Sequence, residues 1–177
     1  MNIITGTGRC GTLSAAYIFG GHHEKKPHLP WNKNLSLLEE HLKDVKEDDI
    51  LVASFYIPYL GELLKRGARV IYLYRDKEEV VDSFIRKTEK NGVNPWSPEA
   101  KNPFSKCFPK YNLPKEDAIR RYWELCYREA KKWKLKIYDV NDLNSAFKQR
   151  EIFTYFNKNY PGFKSVRKNG LSLHIQQ

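Results

Sequence analysis

The 177-residue chain has one methionine and three cysteines. Cys10, Cys107 and Cys126 are odd in number and widely spaced, with no CxxC pair, which argues against a disulfide framework and a structural zinc site. A reducing cytosol permits such thiols, so a cytoplasmic location is expected. No stretch approaches the roughly 20 apolar residues of a membrane-spanning helix. The N-terminus lacks a basic region followed by a long apolar run, so no secretory signal and no membrane partner are expected. Internal repeats and low-complexity tracts are also missing. What is present is 41% hydrophobic and 14% aromatic residues, a composition that argues against disorder. The length suits one domain, 1–177, large enough to bury a core. A formal net charge of +10 points to anionic partners. Solvated helix-face lysines contribute to that charge as well, so charge alone does not choose among nucleotides, acidic glycans, anionic lipid and nucleic acid.

Hydrophobic patterning predicts strands alternating with helices. Ile3-Ile4 enters a loop of Gly6, Gly8 and Gly11, and residues 12 to 19 follow as a helix with Leu13, Ala16, Tyr17 and Phe19 at helical spacing. HHEKKPHLPWNKN reads as a polar, proline-bearing loop. Ser36 with Glu39 forms a capping box for a helix to about Val45. ILVAS reads as a buried strand, Tyr59 to Arg66 as a helix ended by Gly67, and ARVIYLY as the strongest strand. Asp76 with Glu79 is a second capping box, opening a helix that buries Val80, Val81, Phe84 and Ile85. Residues 91 to 114 hold five prolines and read as a lid or acceptor-site loop. Lys115 to Lys134 is an amphipathic helix, KIYDV a further strand, and Ile152 to Tyr155 part of a last helix. The alternation predicts an α/β fold on a central parallel sheet, with ligands bound at the carboxyl ends of its strands.

Strand, glycine loop and helix N-terminus together make a phosphate cradle, because first-turn amides are free and the helix dipole favours an anion. Gly6, Gly8 and Gly11 satisfy G-x-G-x-x-G, but the dinucleotide reading needs a second strand ending in an acidic residue about 20 positions on. That region is HHEKKPHLP, whose prolines and charges exclude a central strand. Gly6 to Gly11 also has P-loop spacing, yet Thr12-Leu13 stands where Lys-Ser/Thr would be, which argues against nucleoside triphosphate hydrolysis. Arg75 stands where a nucleotidase would place a metal-binding aspartate. Cations without visible metal ligands suit transfer of a group less charged than phosphoryl, such as sulfuryl.

The loop TGRCGT followed by Ser14 resembles the 5′-phosphosulfate loop of the sulfotransferases. Arg9 matches its basic residue, Gly11 and Thr12 its Gly-Thr pair, and Cys10 replaces its usual serine. VIYLYRDKEEVVDSF resembles the family's 3′-phosphate motif, an arginine ending a strand and a serine eight positions later, here Arg75 and Ser83. Helix geometry allows the two to meet over one phosphate. LVASFYIPYL, RYWELCYREAKKWKLKIYDVNDL and SVRKNG are weaker likenesses, so the resemblance spans about Ile3 to Gly170.

The resemblance implies a P-loop NTPase-like, three-layer α/β/α domain. It implies 3′-phosphoadenosine 5′-phosphosulfate as donor, adenosine 3′,5′-bisphosphate as product, and no metal. Gly8, Arg9, Cys10, Gly11, Thr12, Leu13 and Ser14 would hold the 5′ end. Arg75, Ser83, Arg167 and Lys168 would hold the 3′-phosphate. In protein-tyrosine sulfotransferases a glutamate in the corresponding loop after the first helix is the base. That favours Glu24 as general base, with His23 and then His22 behind it, and Arg9 stabilising charge on the transferring group. Trp96 and Trp123 are candidates to stack adenine or line the acceptor pocket, Trp123 being the better candidate for core. The acceptor would be a hydroxyl or amine of a glycan, peptide or small molecule. Lys25, Lys26, Lys33, Lys101 and Lys106 lean toward an acidic one. The rival readings are a sulfotransferase-like binding protein without turnover and a nucleic-acid-binding protein. No recognisable nucleic-acid module supports the latter.

Overall fold

The computed structural model describes residues 1–89 and 94–166. Five parallel strands form one sheet, β1 (Asn2–Gly6), β2 (His22–His23), β3 (Ile50–Val52), β4 (Arg69–Tyr74) and β5 (Lys136–Asp139). Their spatial order is β2-β3-β1-β4-β5. The protein is therefore an α/β fold with a central parallel sheet, as the alternating pattern predicts.

Successive strand residues face opposite layers, which the packing shows directly. Ile3, Leu51, Val70 and Tyr72 pack into one core with residues of α2 (Leu35–Leu42), α3 (Leu60–Lys65), α4 (Lys77–Glu89) and α5 (Lys115–Lys132). Ile4, Val52, Ile71 and Leu73 pack into a second core with α1 (Thr12–Phe19) and α6 (Ala146–Tyr155). With both faces covered, the strands read as continuous apolar runs instead of alternating ones.

Several local expectations change. HHEKKPHLP is not wholly loop, because His22 and His23 pair with Leu51 and Val52 as a short edge strand. Only the two residues before the charges and prolines join the sheet. The cap of α2 is Asn34, whose side chain accepts from the Leu37 amide, in place of the Ser36–Glu39 box. Asp76 does accept from the Glu78 and Glu79 amides, but the Glu79 carboxylate turns to Arg75. Tyr17 is about half exposed (49%), so the apolar side of α1 is narrower than its sequence spacing suggests.

The proline-rich segment, read as a lid or acceptor-site loop, packs many of its side chains against the rest of the protein. From residue 94 onward it is folded into the core, with a 3₁₀ turn at Pro103–Cys107 and with Trp96, Cys107 and Phe108 buried. The Trp96 ring meets Phe84 at 4.8 Å and Phe108 at 5.1 Å, edge to face. An open lid would leave these rings in water, and burial of each large aromatic is worth roughly 1.5–3 kcal/mol. Residues 91–93 lie outside the described residues.

Candidate anion-binding site

All five strands end on the same edge, and β1 lies between β3 and β4 there. The loop after β1 thus sits between the loops that carry Ser54 and Arg75. Gly8, Arg9 and Gly11 all have positive φ, at 75°, 54° and 86°. Glycine adopts this region freely. A side chain on Gly8 would press the Phe84 ring at 3.2 Å, and one on Gly11 would collide with Val140 at 2.6 Å. Gly11 caps α1 without a side-chain hydrogen bond, so side chains leave the first-turn amides of that helix open to an anion.

Arg9 is the non-glycine residue of this turn with a positive φ, and two hydrogen bonds fix it. Its Nε donates to Ser83 Oγ at 3.1 Å, and its carbonyl accepts from Arg75 Nη1 at 3.0 Å. Arg75 and Ser83, expected to meet over one phosphate, are thus both bonded to Arg9. The two motifs, 74 positions apart between Arg9 and Ser83, make one cluster. Partial desolvation lowers the Arg9 pKa, the nearby Arg75 and Arg86 charges lower it further, and Glu24 opposes them. A guanidinium stays charged through such shifts, so the site concentrates positive charge.

Cys10 points the other way. Its side chain is fully buried in the core shared by α1 and α6, and burial pushes its thiol up to about 11. A side chain on Gly6 would collide with Cys10 Sγ. Cys10 thus offers the cradle only its backbone. Leu13 and Ser14 are half-buried in the first turn of α1.

The loop after β2 reaches the same place. His23 Nε2 lies 3.3 Å from Thr12 Oγ1 and 4.0 Å from Glu24 Oε1. Burial lowers the His23 pKa, with Glu24 raising it in part, which favours the neutral imidazole. Glu24 has φ 49° and its amide donates to the Val52 carbonyl, so the turn is tied to β3. Farther along, buried His41 donates Nδ1–H to the Pro27 carbonyl at 2.7 Å. A carbonyl only accepts, so the neutral ring's Nε2 accepts from Tyr56 OH at 2.8 Å. His22 faces away, exposed, 3.9 Å from Asp49. The structure thus brings together Arg9, Gly11, Thr12, His23, Glu24, Arg75 and Ser83, and leaves out His22.

Arg167 and Lys168 lie outside the described residues. The two tryptophans exchange the parts expected of them. Trp96 is wholly buried, whereas Trp123 is half-buried and donates Nε1–H to the Arg75 carbonyl at 3.0 Å. Sequence reading missed three neighbours of the site. Glu79 lies one helical turn from Arg75 and Arg86 one turn from Ser83, spacings that could have flagged both. Ser54, buried at the end of β3 beneath Gly8, carried no such signal.

No family model, no curated protein and no solved structure matches the chain.

Proposed function

We propose that the chain is a sulfotransferase that moves a sulfuryl group from 3′-phosphoadenosine 5′-phosphosulfate to a hydroxyl or amine. The observation that carries this reading is the convergence of Arg9, Arg75 and Ser83 on a glycine loop with open helix amides, beside Glu24. The strand order supports a P-loop-like domain over a dinucleotide fold. In the latter the strand after the first helix neighbours β1, whereas here β3 takes that place and β2 is the edge.

In the proposed reaction Glu24 takes the proton of the acceptor hydroxyl, with His23 as the other candidate. The acceptor oxygen bonds to sulfur in line as the bond from sulfur to the bridging phosphate oxygen breaks. The electron pair stays on the departing 5′-phosphate, where Arg9 and the amides of Gly11 and Thr12 stabilise it. Arg75 and Ser83 hold the 3′-phosphate. The inward turn of Cys10, which leaves the loop without a side-chain donor between Arg9 and Gly11, favours a second reading. In it the protein binds the nucleotide without turnover.

Isothermal titration with adenosine 3′,5′-bisphosphate tests both readings. Binding is expected, and its absence at hundreds of micromolar would overturn them. Transfer of labelled sulfate to any member of an acceptor panel then separates enzyme from binding protein. Glu24→Gln is expected to spare nucleotide binding and remove transfer.

A further inference from the structure

Arg75 is the residue on which the proposed 3′-phosphate contact depends, and both edges of its guanidinium fork are in use. On one edge, Nε donates to Glu79 Oε2 at 2.8 Å. On the other, Nη1 donates to the Arg9 carbonyl at 3.0 Å. Side-on bidentate recognition of a phosphate uses Nε and Nη2 together, so a phosphate bound on that edge displaces Glu79, whereas one bound end-on competes with the Arg9 carbonyl for Nη1. Releasing the Arg9 carbonyl would free a left-handed residue in the centre of the cradle. Releasing Glu79 breaks one surface ion pair, a weak interaction between side chains that are 28% and 61% exposed. Among the described residues Glu79 has no other side-chain hydrogen bond. The Arg75 backbone is meanwhile held by Trp123, so exchange of the partner on Nε leaves the arginine in place.

We propose that Glu79 is a built-in counter-charge to Arg75 that a 3′-phosphate displaces, at a cost in affinity borne only by ligands that carry that phosphate. This rests on the sulfotransferase reading of the same site. A nucleotide with phosphates at both the 3′ and 5′ positions replaces the carboxylate with a doubly charged group. A 5′-monophosphate leaves the Arg75–Glu79 pair intact and gains nothing there.

Titration calorimetry of the whole chain with adenosine 3′,5′-bisphosphate and, separately, adenosine 5′-monophosphate tests the assignment. Glu79→Gln keeps an oxygen for Arg75 Nε and removes the charge. A unit charge a few ångströms away at a surface corresponds to about a fivefold change in affinity. Glu79→Gln is therefore expected to tighten the bisphosphate by about fivefold and leave the monophosphate within about twofold. Glu79→Ala should match Glu79→Gln, because the charge and not the side-chain geometry matters. Bisphosphate binding that is unchanged or weaker in Glu79→Gln overturns the counter-charge while leaving the proposed function standing. Equal tightening of both nucleotides overturns the assignment of the displaced contact to the 3′-phosphate. No bisphosphate binding by the unaltered chain or either variant overturns both this inference and the function beneath it.

Discussion

Two irregular segments meet beside Phe84, and they are built on opposite principles. The loop from Thr7 to Gly11 is short, holds glycines in left-handed conformations and sends its one apolar side chain, Cys10, into the core. What remains on its outer side is backbone and Arg9. The segment from residue 94 to 111 is rich in proline and aromatic residues and turns Trp96, Cys107 and Phe108 inward against α4 and α5. Its polar backbone is served by bonds such as Tyr111 N–H to the Trp96 carbonyl at 2.9 Å. Side-chain volume decides the difference. A segment with large apolar side chains gains by burying them, and one with almost none keeps its amides available.

The strongest way to break this comparison is Trp96→Ala. Removing a fully buried indole is expected to destabilise the fold by about 3–5 kcal/mol, read as a lower denaturant midpoint. A loss below about 1 kcal/mol would show that the segment contributes little to the core. Next come Arg9→Ala and Arg75→Ala. Each is expected to lower transfer by about 10²–10³-fold, the usual effect of removing a charge-stabilising donor, with a melting midpoint close to that of the unaltered chain. A stability loss as large as that of Trp96→Ala would make these arginines structural. The smallest effect sharpens the contrast inside the glycine loop. Cys10→Ser restores the hydroxyl of the resembled family, but on the core side of the loop, beside the Thr7 hydroxyl and the Gly8 backbone. It is expected to change stability by about 1 kcal/mol or less, the net worth of one hydrogen bond, and to leave bisphosphate affinity unchanged. Tighter binding would mean that residue 10 does face the ligand. Because burial raises the Cys10 thiol to about 11, it is also expected to resist alkylation at pH 8 in the folded chain.

The alternation of strands and helices was legible because dense apolar runs such as Val70 to Tyr74 have few other uses. The loop itself was legible from its glycines, since Gly8 and Gly11 have the positive φ that glycine adopts freely. The bond between Arg9 and Ser83 was not legible, because the tertiary placement of α4 beside the loop, and not helix spacing, brings that guanidinium to the hydroxyl. The packing of the proline-rich segment was not legible for a related reason. Prolines announce irregular backbone, and only the aromatic residues between them, Trp96 and Phe108, show that the backbone is anchored. The two-residue strand β2 is too short to leave any periodic trace.

The strand order also fixes when the site can exist. β1 lies in the middle of the sheet, yet its partners come from far along the chain. Thr5 donates its hydroxyl to the Ala53 carbonyl 48 positions away, and Arg9 meets Ser83 74 positions away. As the polypeptide leaves the ribosome, β1 has no neighbour until β3 emerges, and the cradle has no brace until β4 and α4 follow. Contacts of such range are slow to close. The cradle is accordingly complete only when β1, β3, β4 and α4 are together, and a ligand bound there would report that assembly.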